Sequence, residues 1–110
     1  MLKLAMSPAA AGLFRSLLGR GGVDRNRILL SGFRSTDWCS LTFAGERHRF
    51  DLRIPGPEAA AVAERLTRGL PEAEFSIPHQ IVAEIGVDGG MIEHPDGAIS
   101  LTIEALTIEE

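Results

Sequence analysis

A single cysteine, Cys39, leaves no second thiol to pair with inside the chain. That excludes an internal disulfide and fits a reducing compartment. No stretch approaches the roughly 20 apolar residues of a membrane-spanning helix, so a soluble, cytoplasmic protein without membrane attachment is expected. The start, Met1 to Met6 with Ala9-Ala10-Ala11-Gly12 behind it, is too short an apolar run for a secretory leader, because Pro8 interrupts it and Arg15 follows. Metal-ligand spacing is also missing. His48, His79 and His94 stand apart from one another and from Cys39 and Asp96, and no metal is expected. The glycines of Gly19 to Gly22 follow a helical segment instead of opening one, so they read as a link and not as a phosphate cradle.

Basic residues are scarce in one half only. Met1 to Arg53 holds nine Lys and Arg against four acids, a balance of +5. From Ile54 onward only Arg65 and Arg68 oppose eleven acids, a balance of −9, and the halves together give the chain's −4. The net charge disfavours nucleic acid, whose general affinity comes from phosphate neutralisation. One half can instead neutralise the other, within a monomer or across a self-complementary dimer.

What is present describes one ordinary domain. With 110 residues, 45% of them apolar and 24% charged, the chain has enough core to fold unaided. Ser7-Pro8 opens a helix whose stripe is Leu13, Phe14, Leu17 and Leu18. Three strand-like segments follow. Arg27 to Phe33 is apolar on both parities, Trp38 to Phe43 points Cys39, Leu41 and Phe43 inward, and Phe50, Leu52 and Ile54 alternate with charged residues beyond a turn at Ala44-Gly45-Glu46. A second helix begins at Gly56-Pro57-Glu58, buries Ala59, Val62, Ala63 and Leu66, and stops at Gly69 and Pro71.

A last hairpin carries Ile81, Ala83, Ile85 and Val87 on one arm and Ile99, Leu101 and Ile103 on the other. Turns are expected at Asp88-Gly89 and Pro95-Asp96-Gly97, with a short pairing segment at Met91 to Glu93. The parity change to Leu106 and Ile108 predicts a bulge near Ala105. The expected fold is a single α+β domain over residues 1–110. It has helix, three strands, helix, two strands, with about five mostly antiparallel strands, the second helix across one face and the first at an edge or on a partner. Leu66 and Ile85 are expected in the core.

The candidate chemistry is thin. Arg47, Arg49 and Arg53 share one face of a strand, where guanidinium forks can grip phosphate or carboxylate. The competing reading pairs them with Glu84, Asp88 and Glu104 across the sheet. Cys39 with His48 or Asp37 is the minimum for a thiol nucleophile, but a small core residue is the favoured reading of Cys39. Glu72 with Glu74 and Glu109 with Glu110 read as solvated charges, while Phe75 beside Pro78 and Trp38 are candidates for exposed apolar contact. The expected function is a noncatalytic protein-interaction or regulatory module, needing no cofactor, that forms a homodimer through Leu13, Phe14, Leu17 and Leu18 and binds another protein. A small anion- or metabolite-binding domain built on the arginine row is the alternative, and a thiol enzyme comes third.

Overall fold

A computed structural model describes residues 6–110. The segment up to Ala5, which bears on the secretory-leader reading, lies outside the described residues. Helix α1 (Pro8–Arg20) is followed by strands β1 (Leu29–Cys39) and β2 (Ala44–Ile54), helix α2 (Ala59–Thr67), and strands β3 (Gln80–Glu93) and β4 (Ile99–Glu109). The four strands form one antiparallel sheet in the order β1-β2-β4-β3. The fold is therefore α+β with four strands, where the sequence suggested about five. Segments 27–33 and 38–43 are not separate strands: residues 29–33 and 38–39 belong to one strand, β1, whose register shifts between Leu30 and Gly32, and residues 40–43 form the turn after it. A bulge at that shift lets the chain bend without ending the strand.

The turn between β1 and β2 falls earlier than Ala44-Gly45-Glu46. Ser40 N–H donates to the Phe43 carbonyl at 2.8 Å, and the Ser40 hydroxyl accepts from the Phe43 N–H at 3.1 Å. Gly45 lies inside β2 for a different reason, since a Cβ on it would sit 1.9 Å from the Thr107 carbonyl oxygen of β4. The hairpin tip carries exposed residues on both faces. Cys39 is exposed, and Leu41 and Phe43 are 104% and 55% exposed, so none of the three is a core residue. Alternation marks one face of a strand, but burial also needs an element to cover it.

Both helices cover the same face of the sheet. Ser7 caps α1 by accepting from the Ala10 N–H at 3.2 Å, and its hydroxyl donates to Glu46 Oε1 at 2.6 Å, tying the helix start to β2. At the other end Arg20 donates to the Leu66 carbonyl at 3.0 Å, and Arg65 of α2 donates to the Gly21 carbonyl at 2.9 Å. Leu13 and Leu17 of α1 and Ala59, Val62, Ala63 and Leu66 of α2 close over Phe50, Leu52, Ile54, Leu101 and Ile103. Leu66 and Ile85 are buried as expected. The first helix is thus part of the chain's own core and not an element set at its edge.

Strand β3 carries the irregularity expected in β4. Its register shifts between Val82 and Glu84, so Val82, Ile85 and Val87 turn toward the core while Ile81 is half exposed. A second irregularity between Asp88 and Ile92 absorbs the Asp88-Gly89 turn signal. The reversal comes at His94 to Ala98, with Gly97 at φ 86°. Strand β4 keeps its alternation against β2 throughout, placing Ala105 and Thr107 inward. Leu106 faces the opposite side, yet is only 4% exposed. Its ladder partners are Arg47 and Glu84, which form an ion pair at 3.7 Å across it. Long charged side chains shield apolar neighbours in this way.

Candidate functional site

The helix-free face of the sheet collects the charges that the sequence keeps apart. Strands β1 and β2 come from the basic half, β4 and β3 from the acidic half, and they meet at the β2–β4 ladder. Arg49 reaches Glu104 at 3.2 Å, Asp88 at 3.3 Å and Asp51 at 3.5 Å. Arg53 pairs with Asp96 at 2.7 Å, and Arg47 with Glu84 at 3.7 Å. Asp51 also accepts from the Thr102 hydroxyl at 2.6 Å. The Asp96 carboxyl is held below its ordinary pKa, chiefly by the Ala98 N–H bonded to it and further by Arg53. All three arginines of the row therefore have carboxylate partners, those expected from the sequence joined by Asp51 and Asp96.

These pairs are partly solvated, so each one contributes little. Arg49→Ala is expected to lower stability by about 0–1 kcal/mol, read from a urea titration. Arg34 differs from the row. It stands directly opposite Arg49, and among the described residues no carboxylate lies within ion-pairing distance of it. With Thr36, Arg47, Arg49 and Glu104 it borders a shallow concavity of about 250 Å³.

On the covered face, His48 is 2% exposed and both its ring nitrogens are engaged. Nδ1 meets the Ser35 hydroxyl at 2.6 Å, and Nε2 meets the Thr107 hydroxyl at 2.8 Å. Phe50 stacks beside the ring at 6.0 Å. Ser35 and His48 have the spacing of a nucleophile and base, but a hydroxyl occupies the position where an orienting carboxylate would be needed. The arrangement joins β1, β2 and β4 through one buried polar chain. Neither Ser35 nor Thr107 stood out in the sequence. Their only signal is a parity shared with inward-facing neighbours.

Burial lowers the His48 pKa, against a smaller raising effect from Glu46. The unfolded chain then takes up a proton near the ordinary value of about 6.5, while the folded protein does so only at lower pH. Stability should hold from pH 8 to about 7 and fall as pH drops through 6.5 toward 5. Denaturation at several pH values should show that slope, and His48→Gln should remove it.

The thiol reading does not assemble. The ladder sets Cys39 opposite Ala44 and His48 opposite Ser35, so the two side chains are far apart along the hairpin. His94 is engaged with the Ser100 hydroxyl at 2.7 Å, and His79 is exposed in the turn before β3. Among the described residues no group of three His, Cys, Asp or Glu side chains is arranged to hold a metal ion.

The remaining feature is an edge. Among the described residues, strand β1 pairs with β2 on one side only, so its other side is a free edge over eleven residues. Counting back from the Ser40–Phe43 bond, antiparallel alternation makes Arg34, Thr36 and Trp38 bond to β2. Phe33, Ser35, Asp37 and Cys39 turn their backbone N–H and C=O groups to the free edge. Beside the first turn of this strand, α1 leaves an apolar groove of about 640 Å³ lined by Met6, Phe14, Leu18, Leu29 and Leu30. The predicted interface stripe of α1 is thus divided. Leu13 and Leu17 are fully buried in the core and unavailable to a partner, whereas Phe14 and Leu18 open onto the groove.

No helix among the described residues is long and apolar enough to cross a membrane. Comparison with known proteins places no relative beside this chain: no family model, no curated protein and no solved structure matches it.

Proposed function

We propose that the chain is a noncatalytic protein-interaction module that works as a homodimer and offers its β1 side for docking. The observation that supports this is the free edge of β1 running beside the apolar groove of α1. Long edge strands with unpaired backbone groups readily accept another strand, and proteins that must avoid this cover or charge them. Here the edge residues between Gly32 and Cys39 include no proline, and their two charges, Arg34 and Asp37, are of opposite sign. Size-exclusion chromatography with light scattering at about 1–100 µM is expected to give a dimer mass, and Phe14→Glu a monomer. A monomer mass for the parent over that range would overturn the reading.

A second reading is supported by Arg34. Like charges directly opposite each other on a sheet are unfavourable, and a phosphate or carboxylate between Arg34, Arg47 and Arg49 would relieve that repulsion. The carboxylates around Arg49 compete with any such anion. Calorimetric binding of phosphate by the parent, lost in Arg34→Ala, would establish this reading in place of the first.

A further inference from the structure

We infer that two copies of this chain join through antiparallel pairing of their β1 edges about a twofold axis at Thr36, each inserting its hairpin tip beside the α1 groove of the other. This rests on the homodimer reading and specifies its interface.

The inference starts from two apolar features that the described residues leave uncovered. The tip residue Leu41 is fully exposed just beyond the end of β1, and the groove of Phe14, Leu18, Leu29 and Leu30 lies at the beginning of the same strand. Within one molecule they are separated by the length of the strand and do not meet. Antiparallel pairing of two β1 edges reverses one strand against the other and brings the tip of each copy to the groove of its mate. A twofold operation then satisfies both features twice, as a closed isologous interface does.

Charge and side-chain pattern select the register. A twofold axis perpendicular to the sheet keeps the helices of both copies on one face and pairs residues of the same parity. Centring on Arg34 would set two guanidiniums against each other, and centring on Asp37 two carboxylates. Centring on Ser35 would put Phe33 opposite Asp37. With Thr36 at the centre, Arg34 of one copy faces Trp38 of the other on the helix-free side, a cation over an aromatic ring. On the helix side Ser35 faces Asp37, and Phe33 faces Cys39. Phe33, Ser35, Asp37 and Cys39 are the residues whose backbone groups point to the free edge, so the pairs they make exchange two hydrogen bonds each. Leu41 of one copy comes level with Ser31 of the other, next to Leu29 and Leu30 in the groove.

Cysteine crosslinking tests this geometry. In a Cys39→Ser background, Thr36→Cys places two thiols across a non-hydrogen-bonded antiparallel pair, where Cα atoms are about 4.5 Å apart and a disulfide closes. Mild oxidation should convert Thr36→Cys to a covalent dimer. Arg34→Cys in the same background, and the parent with its own Cys39, should remain largely uncrosslinked. Thr36 and Leu41 are exposed, so neither substitution disturbs the core. Leu41→Glu should weaken dimerisation at least tenfold by light scattering with the circular dichroism of the monomer unchanged. A dimer mass without the Thr36→Cys crosslink, stronger crosslinking at another position, or an unweakened Leu41→Glu dimer would overturn this interface while leaving the homodimer reading intact. A parent that stays monomeric overturns both.

Discussion

Phe50→Ala should lower the free energy of unfolding by about 3–5 kcal/mol, the range for removing a buried aromatic ring. Phe50 is fully buried at the middle of β2, and three neighbouring rings converge on it. Phe14 of α1 stacks at 5.6 Å, Phe33 of β1 lies at 5.5 Å and His48 at 6.0 Å. The substitution would therefore loosen the helix layer, the edge strand and the buried histidine chain together. Denaturant titration reads the loss directly. A change below about 1 kcal/mol would mean that the site collapses around alanine and that Phe50 is no hub of the core.

Gly45→Ala is expected to cost about 3 kcal/mol, the upper end of what overpacking usually costs. The added methyl would collide with a backbone carbonyl, Thr107 O, and a backbone atom held in a ladder cannot rotate away as a side chain can. Gly86→Ala provides the comparison. No heavy atom lies within 4 Å of a Cβ there, so its effect should stay within about 0.5 kcal/mol. Equal effects for the two variants would show that conformational freedom, and not close approach, explains both glycines.

Gly45 also shows where the sequence stops being informative. Next to Ala44 and Glu46 it reads as a turn glycine, because turns are the local reason to use one. The reason it is needed comes from β4, which local sequence does not place beside it. The same applies to Ala83, whose bulge shifts the parity of β3, while the local pattern suggested a break near Ala105. Cys39, Leu41 and Phe43 alternate as a core strand would, but the hairpin carries them to an exposed tip. By contrast, elements whose burial is decided within a few turns of chain were legible. The α2 stripe, the inward rows of β2 and the first half of β4, and the Ser7 cap all follow from local spacing and local hydrogen bonding.

The charge pattern lies between these cases. Its segregation along the chain is plain in the sequence, and the ion pairs from Arg47, Arg49 and Arg53 to acids of the second half realise it across the β2–β4 ladder. Nothing local specifies that Arg34 faces Arg49, or that Ser35 and Thr107 take the two nitrogens of His48, since these contacts depend on register. The groove was half legible. Its Phe14 and Leu18 belong to the α1 stripe, but the strand that forms its other wall begins apolar on both parities, the pattern of a central strand, and lies at the edge of the sheet.

Amide hydrogen exchange along β1 at low and high protein concentration tests the role of that edge most directly. In the isolated chain the Phe33, Ser35, Asp37 and Cys39 amides have no partner strand among the described residues and should exchange rapidly, whereas those of Arg34, Thr36 and Trp38 are held by β2. The expected result is slowing of exchange at the first four positions as concentration rises through the dimerisation range, with the alternate positions changing less. Rapid exchange at all four, independent of concentration, would contradict a role for this edge in self-association.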